Sequence, residues 1–142
     1  MIRKSMLASV IFLAFQTAQA GALAYVPNEK SATISVIDTD SDRVQASFSV
    51  GQRPRGGAVG ASHLYLTDAQ GGSLLIVDRA SGKLLRNVAL GDSPEGVSLS
   101  ADGRWLSVAL EDDNSVVLLS APDGRETARI KVQGKNPEHA VF

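Results

Sequence analysis

Three observations predict an all-β chain built of β-propeller blades: a four-strand unit about 40 residues long, its recurrence in register, and turn chemistry at each junction. The complete unit runs from Leu64 to Gly103. Leu64 to Asp68 and Leu74 to Asp78 are short apolar runs, and Leu84, Val88 and Leu90 recur at strand spacing around Arg86. Gly71-Gly72 and Ser81-Gly82 separate these runs, and Gly accepts the positive φ that tight turns demand. After Gly91-Asp92-Ser93-Pro94 a fourth run, Val97 to Ser100, closes on Asp102-Gly103, a strong hairpin signal.

The composition sets the outer limits. The 142 residues suffice for one domain, and an apolar fraction of 44% with a net charge of −1 describes an ordinary globular chain. There is no basic run, aromatics are 5% of residues and the pI is about 6.1, so nothing points to a nucleic-acid partner.

Residues 1–20 read as a secretory signal peptide. Arg3 and Lys4 precede an apolar stretch, Met6 to Phe15, and Ala18-Gln19-Ala20 gives a small-x-small cleavage site before Gly21. A stretch of ten residues is too short to span a bilayer. Cleavage implies a periplasmic or secreted protein without a membrane anchor. It lowers the 14 basic residues to 12 against 15 acidic ones, a net charge of about −3. With no Cys, the exported fold must hold by packing rather than by disulfides.

Residues 21–142 then read as three repeats, at about 21–54, 55–94 and 95–137, plus the start of a further strand at 138–142. Asp38, Asp78 and Ser120 occupy one landmark; Pro54, Pro94 and Pro137 a second; Tyr25, Tyr65 and Ser107 a third. The first offset is 40 residues for all three landmarks and the second is 42 or 43. Three landmarks holding register over three copies mark a genuine repeat.

The first copy, AYVPNEKSATISVIDTDSDRVQASFSVGQRPRG, resembles the YVTN-type β-propeller repeat, whose pattern is an aromatic-Val-x-Asn start, a TISVID strand and a VGxxPxG junction. The second copy keeps Tyr65, Asp78, Gly91, Pro94 and Gly96 but has Asp68 in place of the family's Asn. The third has Ser107 for the aromatic, Ser120 for Asp and His139 near the usual Gly. LAYVPNEK, GQRPRG and LEDDNSV together are most similar to exported propellers associated with pyrroloquinoline-quinone (PQQ)-dependent alcohol catabolism. That resemblance implies an accessory, non-enzymatic role beside a PQQ-dependent dehydrogenase or a transporter component.

With the strands of a blade lettered A to D from axis to rim, strand A follows each landmark Pro. The strand count is then three, four, four and one, twelve in all. Family members carry about seven repeats, and three blades fall below the usual four to eight. Two readings stay open: the chain is the first part of a longer propeller, or it self-associates, two copies supplying six blades.

Alternating strand direction puts the D-to-A and B-to-C loops on one face, and propeller function resides in loops on a rigid scaffold. The candidate ligand- or partner-binding residues there are Arg53, Arg55, Glu95, Glu111, Asp112, Asp113 and His139. Arg53 and Arg55 flank Pro54, where two guanidinium groups could clamp a carboxylate; contact with the acidic loop of a neighbouring blade is the plainer alternative. Glu111, Asp112 and Asp113 lack the spacing of a calcium loop, as does the Asp38-Thr39-Asp40-Ser41-Asp42 run, and both read as turns. His63 is assigned to the A-to-B turn of the second copy, and His139 near the axis lacks the converging ligands that metal or haem needs. Trp105 reads as rim packing. The expectation is therefore no catalytic residue, metal or cofactor, and a protein partner or small periplasmic ligand. The alternatives are a fragment of a haem-d1-like or lactonase-like propeller enzyme, and a non-functional fragment.

Overall fold

A computed structural model describes residues 21–121 and 123–142. The signal-peptide assignment lies outside the described residues. Eleven strands follow in chain order: β1 (Leu23–Asn28), β2 (Thr33–Asp38), β3 (Arg43–Ser49), β4 (Pro54–Val59), β5 (His63–Asp68), β6 (Ser73–Asp78), β7 (Leu84–Ala89), β8 (Pro94–Leu99), β9 (Trp105–Leu110), β10 (Ser115–Ser120) and β11 (Arg125–Lys131). They form three antiparallel meanders, β1-β2-β3, β4-β5-β6-β7 and β8-β9-β10-β11. Consecutive sheets meet through β1 against β4 and β4 against β8, and the three do not close a ring. The all-β blade architecture is thus the observed one.

Side-chain alternation explains how the sheets stack. In β5 and β6 every second side chain points the same way, so Leu64, Leu66, Leu75 and Val77 pack with Ile34 and Val50 of the first blade. Tyr65, Leu74 and Ile76 point oppositely and pack with Leu106, Val108, Val117 and Leu119 of the third blade. Both faces are covered, so β6 reads Leu74-Leu75-Ile76-Val77 without a polar interruption, the signature of a strand buried on two sides. In β10 burial alternates instead: Val117 and Leu119 are buried while Val116 and Leu118 are only partly so.

Two features repeat with the sequence landmarks. The B-to-C turns place Ala32, Gly72 and Asn114 at φ of 53°, 60° and 47°. Glycine suits the middle copy, since a Cβ on Gly72 would lie 2.9 Å from the Gly91 carbonyl oxygen. The A-to-B pairing breaks register between Pro54 and Gly57 and again between Pro94 and Val97. These bulges release Arg55-Gly56 and Glu95-Gly96 from their ladders and turn them toward the next A strand.

Three sequence expectations need correction. The landmark prolines themselves begin the A strands rather than preceding them. His63 is not in a turn: it is the first residue of β5 and pairs with Asp78. The expected twelfth strand is absent among the described residues, because 138–142 carries no ladder. That segment nonetheless runs beside β8, where the Gly96 N–H donates to the Glu138 carbonyl oxygen at 2.7 Å and the Ser107 hydroxyl to that of Ala140 at 2.8 Å. Among the described residues no strand lies on the far side of this segment to pair with it.

Candidate functional site

The residue after each landmark proline comes to one place. Arg55, Glu95 and Glu138 follow Pro54, Pro94 and Pro137, and with Gly56, Gly96 and His139 they line a cleft of about 170 Å³ at the inner ends of the blades. The bulges put them there, and glycine makes the approach feasible. A Cβ on Gly56 would collide with the Glu95 carbonyl, and one on Gly96 would lie 2.6 Å from the His139 ring. Arg55 and Glu95 form an ion pair, Nε to Oε2 at 2.8 Å, with the Arg55 side chain one-third exposed and Glu95 buried. Burial pushes the Glu95 carboxyl above the ordinary range; Arg55 opposes this, and the Glu111 carboxylate adds to it. The Ser93 hydroxyl donates to Glu95 Oε1 at 3.3 Å.

The two arginines flanking Pro54 do not act together. Arg53 reaches outward to Glu29 in the first blade's B-to-C loop, Nε to Oε1 at 2.6 Å, and its hydrogen bond holds the Glu29 carboxyl below the usual range. Arg55 alone points into the cleft. Contact with a neighbouring blade's acidic loop thus describes Arg53.

The acidic run also divides. Asp113 accepts from Lys131 Nζ at 2.6 Å and lies 3.6 Å from Arg129, and Lys131 and Ser115 hold its carboxyl low. Glu111 accepts from the Asn136 side chain at 3.3 Å, tying the last junction to this loop, and Asp112 is exposed. Among the described residues no three His, Asp or Glu side chains gather as a metal-binding set. The Asp38 carboxylate accepts from the Asp40 and Ser41 amides at 2.9 Å each, which makes its run a capped turn.

Two supporting residues escaped sequence reasoning. The fully buried Thr67 hydroxyl accepts from the Gly56 N–H at 2.7 Å and donates to the Glu95 carbonyl oxygen, locking the two bulges together. Asp68, also buried, accepts from the Gln52 and Arg53 amides at 2.9 and 2.7 Å, fixing the loop that leads into Pro54. Asp68 stands where the repeat pattern has Asn, and that departure was the available signal for it.

No family model and no curated relative matches the chain. Solved structures do. Hydrazine synthase of Kuenenia stuttgartiensis superposes with a TM-score of 0.78 at 21% identity, over 84% of this chain and 35% of that one. The periplasmic gluconolactonase of Pseudomonas aeruginosa gives 0.68 at 21% identity, over 84% and 43%. The dihydro-haem d1 dehydrogenase NirN gives 0.64 at 21% identity, over 86% and 27%. The chain therefore spans between about a quarter and under half of these relatives' lengths, and the likeness establishes the propeller fold.

Proposed function

We propose that this chain is part of an exported propeller that binds a small polar ligand or a protein partner at its axial face. The carrying observation is the convergence of Arg55, Glu95, Glu138 and His139 from three successive junctions on one cleft. At about 170 Å³ it is smaller than the roughly 300–1,000 Å³ of ordinary ligand sites. It is one wall of a larger axial site that further blades would complete. A buried carboxylate beside a half-open guanidinium offers an acceptor and a donor at once, which suits a ligand or protein loop carrying both a carboxylate and a hydroxyl or amine.

Export is supported by the sequence of residues 1–20 and by the periplasmic setting printed for the gluconolactonase neighbour. The resemblance to PQQ-associated propellers supports a partner in quinoprotein alcohol oxidation or the associated transport. Titration of a purified PQQ-dependent alcohol dehydrogenase over the immobilised chain tests this. Saturable binding that Arg55→Ala abolishes is expected, and no binding, or binding indifferent to that change, overturns the assigned partner and face.

The second reading is an enzyme fragment, favoured by the presence of both Glu95 and His139 in the lining of one cleft and by enzyme neighbours such as the gluconolactonase. Lactone hydrolysis, or an absorbance change on adding haem or quinone, that Glu95→Gln removes would favour it over binding alone.

A further inference from the structure

The axial cleft lies where the D-to-A junctions meet. A larger one, of about 470 Å³, opens in the seam between the first and second blades, beside the C-to-D turns of the opposite face. We infer that this seam is a second binding site, for a small aromatic carboxylate whose ring lies against Tyr25 and Phe48 and whose charge is met by Arg79.

Strand alternation builds the first wall. Tyr25 pairs with Val36 and Val36 with Ala46, and cross-strand partners share a face. Leu23 and Phe48 fall on the same face by the period of two. That face carries Ile34 and packs onto the middle blade. The opposite wall is Arg79-Ala80-Ser81, in the turn between β6 and β7. A Cβ on Gly82 of this turn would lie 2.7 Å from the Phe48 ring, so the turn seats directly on Phe48 and closes one end of the cleft. Both walls consist of described residues.

The next seam shows what makes the space. Between the second and third blades the matching cleft is about 210 Å³. There His63 and Arg86 stand at the repeat positions of Leu23 and Ala46. Arg86 pairs with Ile76 as Ala46 pairs with Val36, so its side chain takes up volume that Ala46 leaves open. That lining also carries charges of both signs, Arg86 and Asp123, whereas Arg79 is the one charged residue lining the first seam.

The polar groups single out the same residue. Gln45 donates to the Asp38 carboxylate at 2.5 Å and the Ser81 hydroxyl to that of Asp78 at 2.6 Å, so both are engaged. Arg79 donates from Nη1 to the Gly60 carbonyl oxygen at 3.1 Å and has no carboxylate partner among the described residues. Its other N–H groups form a fork that a carboxylate matches. Val36, 7% exposed, lies beneath, and Tyr25 and Phe48 supply aromatic surface. An apolar cleft with one placed cation is the usual make-up of a small-molecule site, and this volume falls within the ordinary range of about 300–1,000 Å³.

Isothermal titration calorimetry of the full chain with naphthoate, and with the neutral naphthylmethanol, tests the assignment. Saturable naphthoate binding at a single site, at least about tenfold tighter than the alcohol, is expected. Each variant is first checked for the wild-type circular dichroism melt. Arg79→Gln keeps a donor for Gly60 but removes the charge, and should bring naphthoate down to the level of the alcohol. Ala46→Arg copies the next seam at an exposed position and should abolish binding of both. Absence of naphthoate binding overturns the inference, as does equal binding of acid and alcohol that Arg79→Gln leaves unchanged. Binding that survives Ala46→Arg but is lost in Arg55→Ala would place the ligand in the axial cleft, which overturns this site and not the axial one.

Discussion

The middle blade and the outer two are built from nearly the same repeat, yet β6 of the middle one is buried on both faces and the matching strands β2 and β10 of its neighbours chiefly on one. Leu74, Leu75, Ile76 and Val77 of β6 are all at most 1% exposed, whereas in β10 only alternate residues are buried. The comparison separates two roles. Stability concentrates where two apolar faces are covered, and chemistry collects at the axial seams, where bulges release Arg55 and Glu95 from their ladders and Glu138 lies beside them.

The largest test of that division is a pair of truncations. Leu74→Ala removes a fully buried side chain from the middle blade and should cost about 2–5 kcal/mol by denaturant unfolding. Leu118→Ala, on the outer face of the third blade, should cost about 1 kcal/mol. Equal losses would mean that position in the stack does not set stability.

Next, Thr67→Val keeps the shape but deletes the hydroxyl that joins the two bulges, and should cost about 1–3 kcal/mol. It should also weaken any ligand that Arg55 recognises, since the cleft walls would then move independently.

A smaller contrast lies in the B-to-C turns. Gly72→Ala meets both a positive φ and the Gly91 carbonyl, and should cost about 1–2 kcal/mol. Ala32→Gly, at the matching position of the first blade, relieves a left-handed alanine and should gain less than about 1 kcal/mol in thermal unfolding.

The smallest effects are those of pH. Hydrogen bonds from Ser100 and Arg104 hold the Asp102 carboxyl at about 2, below its ordinary 3.8, so the stability it contributes is complete above 3.8 and lost as pH falls toward 2. Glu95 has the opposite sign. Its folded value lies above 4.5, so the fold binds the extra proton and stability declines as pH rises from 4.5 through the raised value. Glu95→Gln should remove that decline from the stability-versus-pH curve, and Asp102→Asn should flatten the acid limb.

Much of the fold was legible because a propeller repeat writes itself as periodic landmarks. Tyr25 and Tyr65, Asp38 and Asp78, and Pro54 and Pro94 fall at equivalent ladder positions. The site was legible only in outline. That Arg55 and Glu95 would share a cleft follows from the repeated post-proline position. That Arg53 would leave it for Glu29 depends on side-chain reach across a seam, and spacing does not encode reach. The roles of Thr67 and Asp68 depend on bulges, which carry no residue signature in PRGGAV or PEGVSL. Residues 138–142 show a related limit: among the described residues the strand propensity of HAVF is not matched by a ladder.

Native-state hydrogen exchange, followed as a function of protein concentration, tests the division between middle and outer blades most directly. The account predicts that β5 and β6 amides exchange slowest at every concentration. Uniform protection across all three blades, or a middle blade no slower than β1 in dilute solution, would contradict it.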